Sequence, residues 1–174
     1  MAALNEPRMI FHPGNCLNNL KPYAKTCRLC VQYCPHEAID ASLNIDRGKC
    51  TDCGVCMAVC PSDGMLDSGL RAAGEYLLAA GAPALHCPAA WEAGWEIPCV
   101  GIFDRDAWMV LFLLAERGEV RVFTGDCGLC ADRRACAASV TALRDLAAAW
   151  EGPLKVKIEI RPDTGEKPAA AEAA

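Results

Sequence analysis

The chain has 174 residues and a formal net charge of −5, with no basic run. This charge pattern excludes the electrostatic footprint of a nucleic-acid-binding protein, and no apolar stretch approaches the length of a membrane span. Residues 1–13 lack an apolar signal-peptide core behind a basic start, so a cytoplasmic location is expected. In a reducing cytoplasm, thirteen cysteines indicate metal or redox chemistry rather than structural disulfides.

The first part of the chain, residues 1–67, is rich in turn residues and contains eight cysteines in two spaced sets. The later set reads C-x2-C-x2-C-x3-C-P and consists of Cys50, Cys53, Cys56, Cys60 and the following Pro61. The earlier set consists of Cys16, Cys27, Cys30, Cys34 and the following Pro35. Residues 27–39 resemble residues 53–65, at an offset of 26 positions. This duplication predicts a small pseudo-twofold domain.

The spacing of these cysteines is typical of cubane iron–sulfur sites. Short C-x2-C steps let one loop supply three thiolates, and the fourth cysteine of the run binds the other cluster. The proline that follows fixes φ and has no N–H. On this logic, one [4Fe–4S] cluster takes Cys16, Cys27, Cys30 and Cys60. A second [4Fe–4S] cluster takes Cys34, Cys50, Cys53 and Cys56.

Residues 8–66 resemble the bacterial-type two-cluster ferredoxins in these motifs. The resemblance implies a ferredoxin-like α+β fold, two [4Fe–4S] clusters and one-electron transfer. The chain departs from the family by placing ten residues between Cys16 and Cys27, where the family usually has two. If Cys16 is not a ligand, that cluster is a three-iron cluster or recruits another residue. The competing interpretation is a pair of zinc sites, since C-x2-C pairs also bind zinc.

The second part, residues 68–161, alternates between helical and strand patterns. In chain order, the sequence predicts a helix at 70–80, strands at 84–86 and 97–100, a helix at 105–117, a strand at 119–123, a helix at 133–150 and an edge strand at 154–160. Asp132 is the expected cap of the last helix. The order predicts a small α/β domain with a parallel sheet. Residues 162–174 are predicted to be a disordered tail.

Five further cysteines lie in this second part. Cys87, Cys99, Cys127 and Cys130 follow or lie within the ends of predicted strands. Because the carboxyl ends of parallel strands meet at one edge of a sheet, these four thiols are expected to converge there. They would suffice for a third cluster, most simply [2Fe–2S]. Cys136, in the last helix, is interpreted as a core residue or a spare ligand.

The spacing of these four cysteines is similar to that of thioredoxin-like [2Fe–2S] proteins, with the last pair one residue closer. Residues 97–101 and 124–130 resemble the small iron–sulfur (delta) subunit family of methyl-viologen-reducing hydrogenases. That family feeds electrons between a hydrogenase and heterodisulfide reductase, which implies a similar role here. The chain departs from it by lacking a second cysteine close to Cys87. Two alternatives stay open: a Cys127/Cys130 dithiol of lowered pKa, and buried structural cysteines.

Together these features predict an iron–sulfur electron-transfer protein without catalytic residues of its own. The expected role is a subunit of a larger oxidoreductase of hydrogenase, formate dehydrogenase or heterodisulfide-reductase type. Its expected partners are redox proteins, with no nucleic acid and no membrane span, in an anaerobic cell. The alternatives are a ferredoxin-dependent disulfide reductase that uses Cys127 and Cys130, and a zinc-stabilised interaction module.

Overall fold

The computed structural model describes residues 8–20 and 26–163. These residues form an α+β structure with two sheets. Its strands are β1 (Met9–Phe11), β2 (Met65–Asp67), β3 (Ala84–His86), β4 (Trp95–Glu96), β5 (Val120–Thr124) and β6 (Val156–Ile160). Its α-helices are α1 (Leu29–Tyr33), α2 (Val55–Ala58), α3 (Leu70–Ala79), α4 (Arg105–Leu114) and α5 (Arg133–Ala149). None of the helices in the described part of the chain has the length and apolar character needed to cross a membrane.

In the first half, β1 and β2 form an antiparallel pair that closes this part of the chain on itself. The two short helices α1 and α2 contain Cys30 and Cys56, the second cysteines of the C-x2-C steps that open the two repeats. Apolar side chains between them form a small core around the buried Met9, Ile39, Cys56 and Met65. The arrangement agrees with an α+β first half, while a ferredoxin-like two-cluster fold stays a prediction.

The second half is built on a four-stranded sheet in the order β4-β3-β5-β6, with every pairing parallel. The predicted parallel sheet is therefore confirmed, and β6 lies at an edge as expected. Helices α4 and α5 pack against a core centred on Trp108, which is fully buried. The indole Nε1–H of Trp108 donates to the carbonyl oxygen and the hydroxyl of Ser139, at 3.0 and 2.9 Å, and so joins the two helices.

The prediction of a strand at residues 97–100 is wrong. The strand is Trp95–Glu96, and the chain then enters a 3-10 helix at Val100–Ile102. Pairing extends as far as the Ile97 N–H, which donates to the carbonyl of His86 at 2.8 Å. Pro98 follows and has no N–H to continue a ladder, so the chain leaves the sheet there. Cys99 therefore lies in the turn beyond the strand.

Other boundaries shift for identifiable reasons. Helix α4 ends at Leu114 because Glu116 and Arg117 bond to carbonyls three residues back, which tightens the last turn. The Asp132 side chain does not cap α5 as predicted. Within the predicted tail, Asp163 donates its N–H to the carbonyl of Ala89 at 3.2 Å, so the chain remains ordered there. Residues 164–174 of that tail lie outside the described residues, as do residues 21–25 of the insertion after Cys16.

Candidate metal centres

Four cysteines of the first half surround one pocket. The first thiol group consists of Cys16, Cys27, Cys30 and Cys60. The Asn18 side chain closes the described ends of the long insertion: it accepts from the Cys27 N–H at 2.7 Å and donates to the Cys27 carbonyl at 3.0 Å. Cys16 is thereby brought to the pocket despite the ten intervening residues. The Gly64 N–H donates to the Cys60 sulfur at 3.1 Å.

Four other cysteines surround a neighbouring pocket. The second thiol group consists of Cys34, Cys50, Cys53 and Cys56. Burial, together with the nearby Cys53, Cys50 and Cys34, raises the pKa of Cys56 to about 12. The Ala38 N–H donates to the Cys34 sulfur at 3.3 Å. Cys34, from the first repeat, therefore lies in the second pocket, and Cys60, from the second repeat, lies in the first pocket. Each repeat thus contributes thiols to both pockets.

All five remaining cysteines line one cavity of about 230 Å³ at the carboxyl edge of the sheet. The third thiol group consists of Cys87, Cys99, Cys127, Cys130 and Cys136. Cys87 directly follows β3, and the turn that holds Cys127 and Cys130 joins β5 to α5. The structure therefore brings together the four cysteines expected at this edge, and it adds a fifth.

Cys136 is the thiol that the sequence pattern did not assign to a site. It is buried in the first turn of α5, and its N–H donates to the carbonyl of Asp132 at 3.1 Å. Burial, a hydrogen bond between its sulfur and that of Cys127, and the nearby Cys99 and Cys130 together raise the pKa of Cys136 to about 12. The signal that could have revealed it is its position: side chains of a first helical turn lean towards the helix start, where Cys127 and Cys130 lie.

The second and third thiol groups meet at Cys53 and Cys99. These two cysteines form one buried cluster with Ala135 of α5. Two close backbone approaches produce this contact: a Cβ on Gly54 would lie 2.7 Å from Ile102, and a Cβ on Gly101 would lie 2.6 Å from the Cβ of Ala135. The pKa of Cys99 is raised to about 12, mainly by burial, and Cys53 is among the groups that contribute.

The donor sets fit iron–sulfur clusters. Each pocket presents four or five thiols, and backbone N–H groups point at several sulfurs, as Gly101 does at Cys99 at 3.3 Å. Hydrogen bonds of this kind to cluster sulfurs tune the reduction potential. Burial raises the pKa of Cys56, Cys99 and Cys136 to about 12, so these three thiols must release protons when they bind metal.

A family model described as a 4Fe-4S binding domain matches residues 43–66. The match spans the later of the two cysteine sets, which consists of Cys50, Cys53, Cys56 and Cys60. It supports at least one [4Fe–4S] cluster and iron–sulfur electron transfer. No curated protein and no solved structure matches the chain significantly. The resemblance of the second half to the hydrogenase delta subunits thus receives no support from these comparisons.

Two histidines near the cysteines have other partners. His86, beside Cys87, is buried, and its Nδ1 lies 2.9 Å from the carbonyl oxygen of Ala93. His36 is half-buried, and its Nε2 lies 2.5 Å from a carboxylate oxygen of Asp132.

Proposed function

We propose that this protein is an electron carrier with two [4Fe–4S] centres in its first half and a third iron–sulfur centre in its second half. The first centre would be held by Cys16, Cys27, Cys30 and Cys60, and the second by Cys34, Cys50, Cys53 and Cys56. The third would be held by four of the five cysteines of the third thiol group. Bound clusters of this kind supply one-electron transfer at potentials set by their surroundings.

The observation that carries the proposal is the separation of thirteen thiols into three groups, each around its own pocket. Zinc sites need four ligands each but no exchange of Cys34 and Cys60 between repeats. That exchange is the ligand pattern of adjacent cubane clusters. The family match at residues 43–66 supports the same chemistry.

The order of the three centres follows from which groups touch. The first and second groups interleave through Cys34 and Cys60, and Cys30 is among the thiols that raise the pKa of Cys56. The second and third groups meet at Cys53 and Cys99. The chain therefore arranges its thiol groups as a row, first–second–third. A row suits a relay between two partners, one at each end.

The surface beside the third group supports docking of a redox partner at that end. Leu129, between Cys127 and Cys130, is 87% exposed. Arg133 and Arg134 line an open groove next to it, although the chain as a whole carries a charge of −5. An acidic partner of a larger oxidoreductase, of hydrogenase, formate dehydrogenase or heterodisulfide-reductase type, fits this local charge.

Iron and acid-labile sulfide counts on the anaerobically purified chain test the proposal. Two [4Fe–4S] centres alone require about eight irons, a further [2Fe–2S] centre brings the count to about ten, and a third cubane brings it to about twelve. About ten or more would support three centres, and about eight would remove the third. Fewer than about four irons, or colourless protein with zinc and no sulfide, would overturn the proposal.

A further inference from the structure

The Asp132 side chain connects the second and third thiol groups. Its Oδ1 accepts a hydrogen bond from the Thr51 hydroxyl at 2.9 Å and lies 2.5 Å from Nε2 of His36. Thr51 directly follows Cys50, and His36 lies two residues after Cys34. The backbone N–H of Asp132 donates to the Cys130 sulfur at 3.4 Å. One residue thus contacts the loops of the second group and a thiol of the third.

These contacts replace the usual role of an aspartate at this position. Asp132 directly precedes α5, where an aspartate normally accepts a hydrogen bond from an N–H of the first turn. Its carboxylate makes no such bond here. When a residue gives up a favourable hydrogen bond within its own helix, its side chain is expected to have a role in contacts with other parts of the protein. The lost cap is offset by bonds to residues 81 and 96 positions away along the chain.

Asp132 lies beside thiols of both groups. A carboxylate oxygen of Asp132, the Cys53 sulfur and a ring nitrogen of His36 all lie within 4.8 Å of one another, and the Asp132 N–H reaches the Cys130 sulfur at 3.4 Å. At such separations a carboxylate repels negative charge on the sulfur. The carboxylate is largely shielded, with 16% of its side chain exposed, so water screens this charge only partly. A fixed negative charge opposes the addition of an electron to a nearby centre for the same Coulombic reason.

We propose that Asp132 is a positioning residue that ties the second centre to the third and lowers the reduction potentials of both. The inference rests on the proposed function, because it assumes that the second and third thiol groups hold iron–sulfur centres. The first thiol group makes no contact with Asp132 among the described residues. Its centre therefore serves as an internal reference in the same molecule.

Two substitutions of Asp132 separate the effect of its charge from the effect of its hydrogen bonds between the second and third thiol groups. Asp132→Asn removes the charge and keeps an oxygen acceptor for Thr51, whereas Asp132→Ala removes both. Potentiometric titration followed by electron paramagnetic resonance measures each potential and the magnetic interaction between reduced centres. We expect Asp132→Asn to raise the second and third potentials, to leave the first unchanged and to keep the magnetic interaction. We expect Asp132→Ala to raise the same two potentials and also to weaken the interaction.

Asp126→Asn is the matched control. Asp126 precedes Cys127, and its carboxylate accepts the Gly128 N–H at 2.9 Å within its own turn. It should shift at most the third potential. The inference is overturned if the second potential is the same in Asp132→Asn as in the parent, or if Asp126→Asn shifts it equally. An iron count of about eight in the parent would instead remove the third centre, and the second potential would still decide whether the Asp132 charge acts there.

Discussion

The close approach of Gly54 to Ile102 makes Gly54→Ala a sensitive test of the contact between the two halves. Gly54 lies between Cys53 and α2 with φ of 81°, in the left-handed region. An alanine there costs about 1–2 kcal/mol in backbone conformation alone. Its Cβ would also lie 2.7 Å from the Cβ and Cγ1 of Ile102, which is buried in the 3-10 helix after Cys99.

The steric part adds about 1–3 kcal/mol, the usual cost of inserting a methyl group into a packed core. The total is about 2–5 kcal/mol, a large share of the roughly 5–15 kcal/mol that stabilises a typical domain. The measurement is the urea concentration at the midpoint of unfolding of the protein under anaerobic conditions, with tryptophan fluorescence as the signal. We expect a clear fall in the midpoint and a weaker magnetic interaction between the second and third centres, because Cys53 and Cys99 are pushed apart.

A double-mutant cycle with Ile102→Ala isolates the clash. Ile102→Ala alone costs about 2–5 kcal/mol, but it also makes room for the new methyl group. The double variant should therefore be less destabilised than the sum of the two single variants. Gly74→Ala is the matched control, because its Cβ would meet no atom within 4 Å and alanine favours the interior of α3. A Gly54→Ala midpoint equal to that of the parent, or strict additivity in the cycle, would refute this reasoning.

Two further predictions concern a ligand choice and a pH dependence. Cys136 is buried and its sulfur is hydrogen-bonded to that of Cys127, whereas Cys87 is more exposed, so we expect Cys136 rather than Cys87 to complete the third centre. Cys136→Ser should then lose the iron of the third centre and Cys87→Ser should retain it. Iron counts with the reverse pattern would make Cys87 the ligand. The pKa of Glu119 is lowered by hydrogen bonds from Lys157 and Arg121, so the stabilisation it provides is complete above its ordinary pKa of 4.5 and is lost as the pH falls through its lower folded value. Glu119→Gln should therefore be less stable than the parent at about pH 7 and equal to it at strongly acidic pH, as measured by thermal unfolding; an equal gap at both pH values would contradict this assignment.

Much of the local organisation was predictable from the sequence. The C-x2-C steps, the repeat and the following prolines are short-range patterns, and the structure gathers the corresponding cysteines around two pockets. The helices and most strands of the second half follow from apolar periodicity, and the parallel sheet follows from their order. The strand at 97–100 was misplaced because its apolar residues are buried in a turn rather than in a ladder.

What the sequence determined by itself is the chemistry of the donor atoms and the two spaced cysteine sets of the first half, since both depend on residue type and short spacing. Only the tertiary structure decided that Cys136 belongs to the third group and that Cys53 contacts Cys99. It also decided that the Asp132 side chain contacts Thr51 and His36 instead of capping α5. These contacts join residues up to 96 positions apart. No local periodicity specifies such pairs, because they depend on how closely the backbones of the two halves approach, and at Gly54 and Gly101 that approach requires the absence of a Cβ.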